Sequence, residues 1–118
     1  MPLLFVYGTL KRGGRNHHLM AGGRFLADAV TRPEYRVFDL GPYPGLVESP
    51  DGLAVRGELW ELAAEAIPKL DAFEGADFAR RPVAIAGRDE LVETYFYVAP
   101  VPESRPSGSV WPQPDGAR

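Results

Sequence analysis

Glycine and proline interrupt this chain so often, 13 of one and 12 of the other in 118 residues, that regular structure must come in short pieces. Glycine raises the entropy cost of ordering and proline removes a backbone donor, so helices should be few and short strands should dominate. Leu3 to Tyr7 is a continuous apolar run of strand length, the pattern of a strand buried on both faces. Phe25 to Thr31 and Tyr35 to Leu40 read as strands joined tightly through Arg32-Pro33-Glu34. Gly41-Pro42-Tyr43-Pro44-Gly45 reads as a shaped loop outside regular structure, and Ser49-Pro50-Asp51-Gly52 as a turn. Ala54 to Leu62 alternates Val55, Gly57 and Leu59 against Arg56, Glu58 and Trp60, which predicts a strand with unlike faces. Phe78 to Ala86 and Leu91 to Ala99 flank Gly87-Arg88-Asp89-Glu90 as an antiparallel hairpin, with Pro82 at an edge or a bulge. The best helix is Ala63 to Phe73, and Pro68 requires it to start at about Ala63 to Ala66. A shorter one over Arg15 to Ala21 turns Leu19 and Met20 inward.

The length suits one domain, taken as residues 1–99, followed by a proline-, glycine- and serine-rich tail over 100–118 in which Val110-Trp111-Pro112 is the anchor. Two readings of that tail stand open, a disordered end and an extended strap. Cysteine is absent, which removes disulfides, thiolate metal sites and a cysteine nucleophile together and fits a reducing compartment. With no signal peptide or membrane span visible, a cytoplasmic location is expected. A net charge of −3 without a polybasic block argues against nucleic acid or a membrane as partner, and the oligomeric state stays open.

The first apolar run ends in Gly8-Thr9-Leu10-Lys11-Arg12-Gly13-Gly14, a turn rich in free N–H groups that suits an anion. Gly8 and Gly13 have the spacing of a P-loop, but Gly14 and Arg15 follow where a lysine and a Ser/Thr are needed, and no G-x-G-x-x-G follows a strand. A purely structural turn competes with the anion reading. Serines occur only at 49, 104, 107 and 109, with no G-x-S-x-G, so a serine triad is not expected. His17 and His18 are adjacent and point apart, so no metal site is expected.

Glu74 is the candidate acid/base. Ile67, Leu70 and Glu74 fall at i, i+3 and i+7, so the carboxylate continues the apolar stripe of the helix. It also stands just before Gly75, at the negative end of the helix. Both effects oppose ionisation and should raise its pKa toward neutrality, as a general acid/base requires. A frayed, partly exposed glutamate, or a partner for Arg80 or Arg81, are the competing readings. Asp71 faces elsewhere and is expected to cap or pair locally; Tyr7, Tyr43, Tyr95 and Tyr97 are expected to be barrel or loop residues.

With Phe-Val-Tyr-Gly-Thr-Leu at 5–10 and Leu-Asp-Ala-Phe-Glu-Gly at 70–75, the chain resembles the gamma-glutamylcyclotransferase-like superfamily, its small bacterial branch and gamma-glutamylamine cyclotransferase above all. Tyr43-Pro44-Gly45-Leu46, Val55-Arg56-Gly57-Glu58-Leu59-Trp60 and Phe78-x-Arg80 match further family blocks, in order, over most of residues 3–99. The resemblance implies an α+β fold built on a small mixed-sheet β-barrel with a few short helices. It implies Glu74 as the catalytic acid/base and a cavity between the first loop and the helix that ends in this glutamate. Phe78 stands where many relatives have tyrosine. The implied reaction closes a gamma-glutamyl group of a small amine or peptide to 5-oxoproline and expels the amine, with no cofactor. On that reading Gly8, Thr9 and Leu10 clamp the substrate carboxylate and Tyr7 is a cavity wall. Two other functions stay open: a non-catalytic domain binding a small carboxylated or amino-acid-like ligand in the same cavity, and removal of a gamma-glutamyl protecting group from a biosynthetic intermediate.

Overall fold

The apolar run at the amino terminus forms β1 (Leu3–Val6), which lies at the centre of a curled mixed sheet. The computed structural model describes residues 2–101 and 105–112. After β1 come a 3-10 helix (His17–Met20), β2 (Arg24–Val30), β3 (Tyr35–Asp39), β4 (Pro44–Glu48), β5 (Arg56–Glu61), α1 (Ala66–Glu74), β6 (Phe78–Pro82), β7 (Glu93–Tyr97) and β8 (Ser107–Gly108). The strand order is β2-β5-β1-β7-β4-β3-β8, with β6 on β7. Pairing of β7 with β1 and with β4 is parallel, and every other pair is antiparallel. The sheet curls until the end of β2 meets the segment after β6, where Arg32 N–H donates to Ala84 O and Ala86 N–H to Val30 O, each at 2.9 Å. The fold is therefore the expected α+β type, a half-barrel with one α-helix among the described residues.

Curling gives β1 two interiors, which explains its unbroken apolarity. Phe5 and Tyr7 point into the curl with Val37, Leu46, Leu59 and Phe96. Leu4 and Val6 point to the outer face, where Met20, Trp60, Ile67 and Leu70 bring the 3-10 helix, β5 and α1 together. Pro68 is the third residue of α1, inside the first turn where a missing N–H costs nothing.

Two expectations need correction. Pro44 and Gly45 are not loop but the first residues of β4, paired with β3 as Asp39 with Pro44 and Phe38 with Gly45. Proline is tolerated as the first residue of a strand. Gly45 is required because a Cβ there would lie 2.7 Å from Cβ of Tyr97 on β7. The faces of β5 are also less unlike than the alternation implies, since Glu58, Leu59 and Trp60 are all buried. Glu58 enters the interior because three donors meet it there.

Beyond β7, Ser107 and Gly108 pair with Phe38 and Val37, and Trp111 packs against the interior of the curl. Lys11 Nζ donates to Trp111 O at 2.6 Å, and Arg56 N–H to Ser109 O at 2.7 Å, so residues 105–112 run from the β3 edge to β5. Residues 102–104 and 113–118 of the tail lie outside the described residues.

Candidate active site

Strand β1 delivers Tyr7 and the turn after it to one wall of a cavity of about 250 Å³, and the end of α1 forms the opposite wall. Tyr7, Gly8, Thr9, Leu10 and Glu74 all line it, together with Arg15, Asn16, Phe73, Asp77 and Tyr95.

The turn is held in shape by its own backbone. Lys11 N–H donates to Gly8 O at 3.1 Å, Gly14 N–H to Lys11 O at 2.8 Å, and Asn16 N–H to Thr9 O at 3.0 Å. Beneath it, Arg12 N–H and Nε donate to the two oxygens of Glu58 at 3.0 and 3.1 Å. Among the described residues no acceptor meets the N–H groups of Gly8, Thr9 and Leu10. Asn16 Nδ2 donates to Thr9 Oγ1 at 3.0 Å, which leaves the Thr9 hydroxyl hydrogen free to donate. The Leu10 side chain is buried in the outer cluster, so only its backbone can serve a ligand. Gly8 does not adopt a positive φ, unlike Gly13 and Gly75. The close approach that demands glycine comes from Pro44, whose Cγ would lie 2.6 Å from a Cβ at position 8.

The Tyr7 hydroxyl is fully engaged, donating to Tyr95 O at 2.5 Å and accepting from Leu46 N–H at 3.0 Å. It ties the end of β1 to β7 and β4 where ladder pairing is sparse, and burial pushes its pKa up. It is a wall that cannot readily give up its proton.

Glu74 closes α1, and Gly75 follows at φ 78°, with its N–H on Asp71 O. Ile67 and Leu70 are buried on the same stripe, which carries the Glu74 side chain into the cavity. Among the described residues it makes no ion pair and no side-chain hydrogen bond. Burial without a partner pushes its pKa up to about 7. Arg80 does not pair with it. That guanidinium grips Asp71 through two hydrogen bonds, at 2.9 and 3.1 Å, and Glu93 through a third at 2.6 Å. Tyr95 adds its hydroxyl to Asp71 Oδ1 at 2.7 Å. Asp71 thus pairs across to the sheet rather than along its own helix, and the Arg80 hydrogen bonds chiefly hold its carboxyl below the usual range.

Sequence reasoning missed Arg15, Phe73, Asp77 and Tyr95 as cavity residues. Arg15 reaches across the mouth to the carbonyl of Pro42, and Phe73 is 45% exposed at the rim. The hairpin register, which sets Tyr95 opposite Arg80, was the available signal for the Asp71 partners. His17 serves structure, with Nδ1 2.9 Å from Leu10 O and its ring edge-on to Trp60.

Among the described residues, then, a curled mixed sheet sets a glycine turn and the glutamate at the end of α1 around one cavity. Residues 4–113 match the family described as "Gamma-glutamyl cyclotransferase, AIG2-like", and the chain belongs to that family. A Vibrio cholerae protein provisionally named as a gamma-glutamylcyclotransferase is 37% identical over 97 residues, covering 82% of this chain and 76% of that protein. The gamma-L-glutamyl-butirosin B gamma-glutamyl cyclotransferase of Niallia circulans is 35% identical over 74 residues, 63% of this chain and 46% of that protein. The crystal structure of a mouse AIG2-like protein superposes with a TM-score of 0.83 at 26% identity, covering 94% of this chain and 88% of that one. These names point to gamma-glutamylcyclotransferase-type activity on a small molecule. Among the described residues, no helix is long and apolar enough to cross a membrane.

Proposed function

We propose that this protein closes the gamma-glutamyl group of a small gamma-glutamyl amine or peptide to 5-oxoproline and releases the attached amine. The observation that carries this reading is the unpartnered Glu74 carboxyl in a cavity whose other wall offers three free N–H groups.

In the reaction the alpha-amine attacks its own gamma-carbonyl, one C–N bond forms, and the C–N bond to the leaving amine breaks. The attacking nitrogen arrives as ammonium and ends as a lactam N–H, so it loses two protons; the leaving nitrogen gains both and departs as ammonium. The exchange is redox-neutral and calls for no cofactor. A carboxylate that titrates near 7 accepts the first proton and returns it to the departing nitrogen with little thermodynamic bias either way. The N–H groups of Gly8, Thr9 and Leu10 take the alpha-carboxylate, and so fold the glutamyl chain back on itself for five-membered ring closure.

The enclosed volume of about 250 Å³ is below the roughly 300–1,000 Å³ of pockets for drug-sized ligands. It suits a glutamyl-sized group, with the leaving amine at the mouth beside Phe73 and Arg15. Removal of a gamma-glutamyl protecting group, the second reading, uses the same residues and differs in the leaving group; the likeness to the Niallia circulans protein favours including it.

Glu74→Gln is the direct test. With gamma-glutamyl amino acids, glutathione and gamma-glutamyl-epsilon-lysine as substrates, the parent releases 5-oxoproline and the folded variant does not. Equal turnover by both would remove Glu74 from the chemistry, and no turnover of any such compound by the parent would favour a binding domain.

A further inference from the structure

One guanidinium stands among the described residues that line the cavity, and ring closure by itself gives it no task. Arg15 follows the first turn and reaches across the mouth, where its Nη2 donates to the carbonyl of Pro42. That contact sets it beside Tyr43, the next residue of the chain and itself part of the cavity lining. Among the described residues no carboxylate pairs with Arg15, so the rest of its N–H fork is open to a ligand. An aromatic surface adjoins it. Tyr43 and Phe78 meet edge to face with ring centroids 5.9 Å apart, and Phe78 meets Tyr97 in the same manner at 5.3 Å. Phe73 is exposed at the rim, and it lines the cavity together with Tyr43 and Phe78.

We propose that the leaving amine is an alpha-amino acid with an aromatic or large apolar side chain, its carboxylate on the Arg15 guanidinium and its side chain on Tyr43, Phe73 and Phe78. The inference rests on the cyclotransferase reading above and narrows its substrate. On that reading the N–H groups of Gly8, Thr9 and Leu10 take the glutamyl alpha-carboxylate, which leaves Arg15 for a second anion. In a gamma-glutamyl amino acid this second carboxylate and the side chain branch from the carbon bonded to the scissile nitrogen. Placing that nitrogen at Glu74 therefore brings a charge and an apolar group to the mouth together. A guanidinium already held at a backbone carbonyl is preorganised for a carboxylate, so little freedom is lost when one binds. Asp77, exposed beyond the end of α1, is the cavity group that a cationic leaving amine would use, but no bond like that of Arg15 to Pro42 holds it among the described residues.

The test compares 5-oxoproline release from gamma-glutamylphenylalanine, gamma-glutamylalanine, gamma-glutamylphenethylamide, which is the first compound without its second carboxylate, and gamma-glutamylputrescine, which carries a cation. The parent should favour gamma-glutamylphenylalanine over the phenethylamide by about tenfold in kcat/KM, the low end for a charge-assisted hydrogen bond because Arg15 is exposed. It should favour it over gamma-glutamylalanine by about tenfold as well, for a phenyl ring partly removed from water. Arg15→Gln should erase the preference over the phenethylamide, and Arg15→Lys should restore part of it. Phe73→Ala should weaken the preference over gamma-glutamylalanine and keep the preference over the phenethylamide. A loss in Arg15→Gln that is equal for gamma-glutamylphenylalanine and the phenethylamide would mean that Arg15 only braces the segment at Pro42 or holds the glutamyl carboxylate, and overturns the proposal. A parent that prefers gamma-glutamylalanine or gamma-glutamylputrescine overturns it too. Release from all four compounds without these preferences sinks the substrate assignment alone, whereas no release from any gamma-glutamyl compound sinks the cyclotransferase reading and the assignment with it, so the two failures are distinguishable.

Discussion

Glu58 and Glu74 are both withdrawn from water, and they have opposite electrostatics. At Glu58, 7% exposed, burial alone would raise the pKa, but Arg12 N–H, Trp60 Nε1 and the Arg12 guanidinium together bring it below the usual glutamate value. At Glu74 burial acts unopposed, and the value rises to about 7. One carboxylate is a peg: it fixes the turn that presents Gly8 to Leu10. The other is held empty-handed at the far wall of the cavity, where a proton can be taken up and given back. Burial by itself therefore says little about a carboxylate's task; what decides it is whether donors were brought along.

The contrast breaks most visibly in activity. Glu74→Gln should lower 5-oxoproline release by about 10²–10⁴-fold in kcat, the usual worth of a positioned acid/base, with the circular dichroism of the parent retained. Glu58→Ala should act on stability instead. It leaves Arg12 N–H and Trp60 Nε1 unpaired, at a cost of about 3 kcal/mol in urea unfolding near pH 7. A Glu58→Ala variant as stable as the parent would mean that the peg bears no load.

A smaller effect has the sign most unlike a structural residue. The folded-state pKa of Glu74 lies above its unfolded value, so its contribution to stability is fully present below about pH 4.5 and is lost as pH rises toward about 7. Glu74→Gln, neutral at every pH, should therefore be more stable than the parent by about 2 kcal/mol at pH 8, after allowance for partial exposure. That gain should vanish near pH 4. Glu58 runs the other way: its stabilisation is present at neutral pH and lost as pH falls through its lowered value. Urea melts of the parent and Glu74→Gln at pH 4, 6 and 8 separate the two slopes.

Local patterns carried much of the fold. The apolar run at 3–7, the Pro68 limit on the helix start and the 87–90 turn are signals written in adjacent residues, and β1, α1 and the β6–β7 hairpin follow them. The strand β4 was hidden because Pro44 and Gly45 look like loop residues locally; their reasons are distant, in β3 and in Tyr97. The same holds for the cavity. That Ile67, Leu70 and Glu74 share a stripe is helix periodicity, readable from spacing. That Arg80 would turn to Asp71 and Glu93 instead of Glu74 depends on the register of β6 against β7, and the burial of Glu58 depends on where a turn 46 residues earlier comes to rest. The need for glycine at 8 was not legible locally, because its cause is the close approach of Pro44 and not a positive φ.

The most direct measurement is a carbon-13 NMR titration that follows Glu58 and Glu74 in the same sample, each assigned by its Gln variant. Glu74 should reach its midpoint near pH 7, with Glu58 still ionised well below the ordinary glutamate value. Coincident midpoints near 4.5 would contradict the distinction between a partnered peg and an unpartnered acid/base, and with it the role given to Glu74.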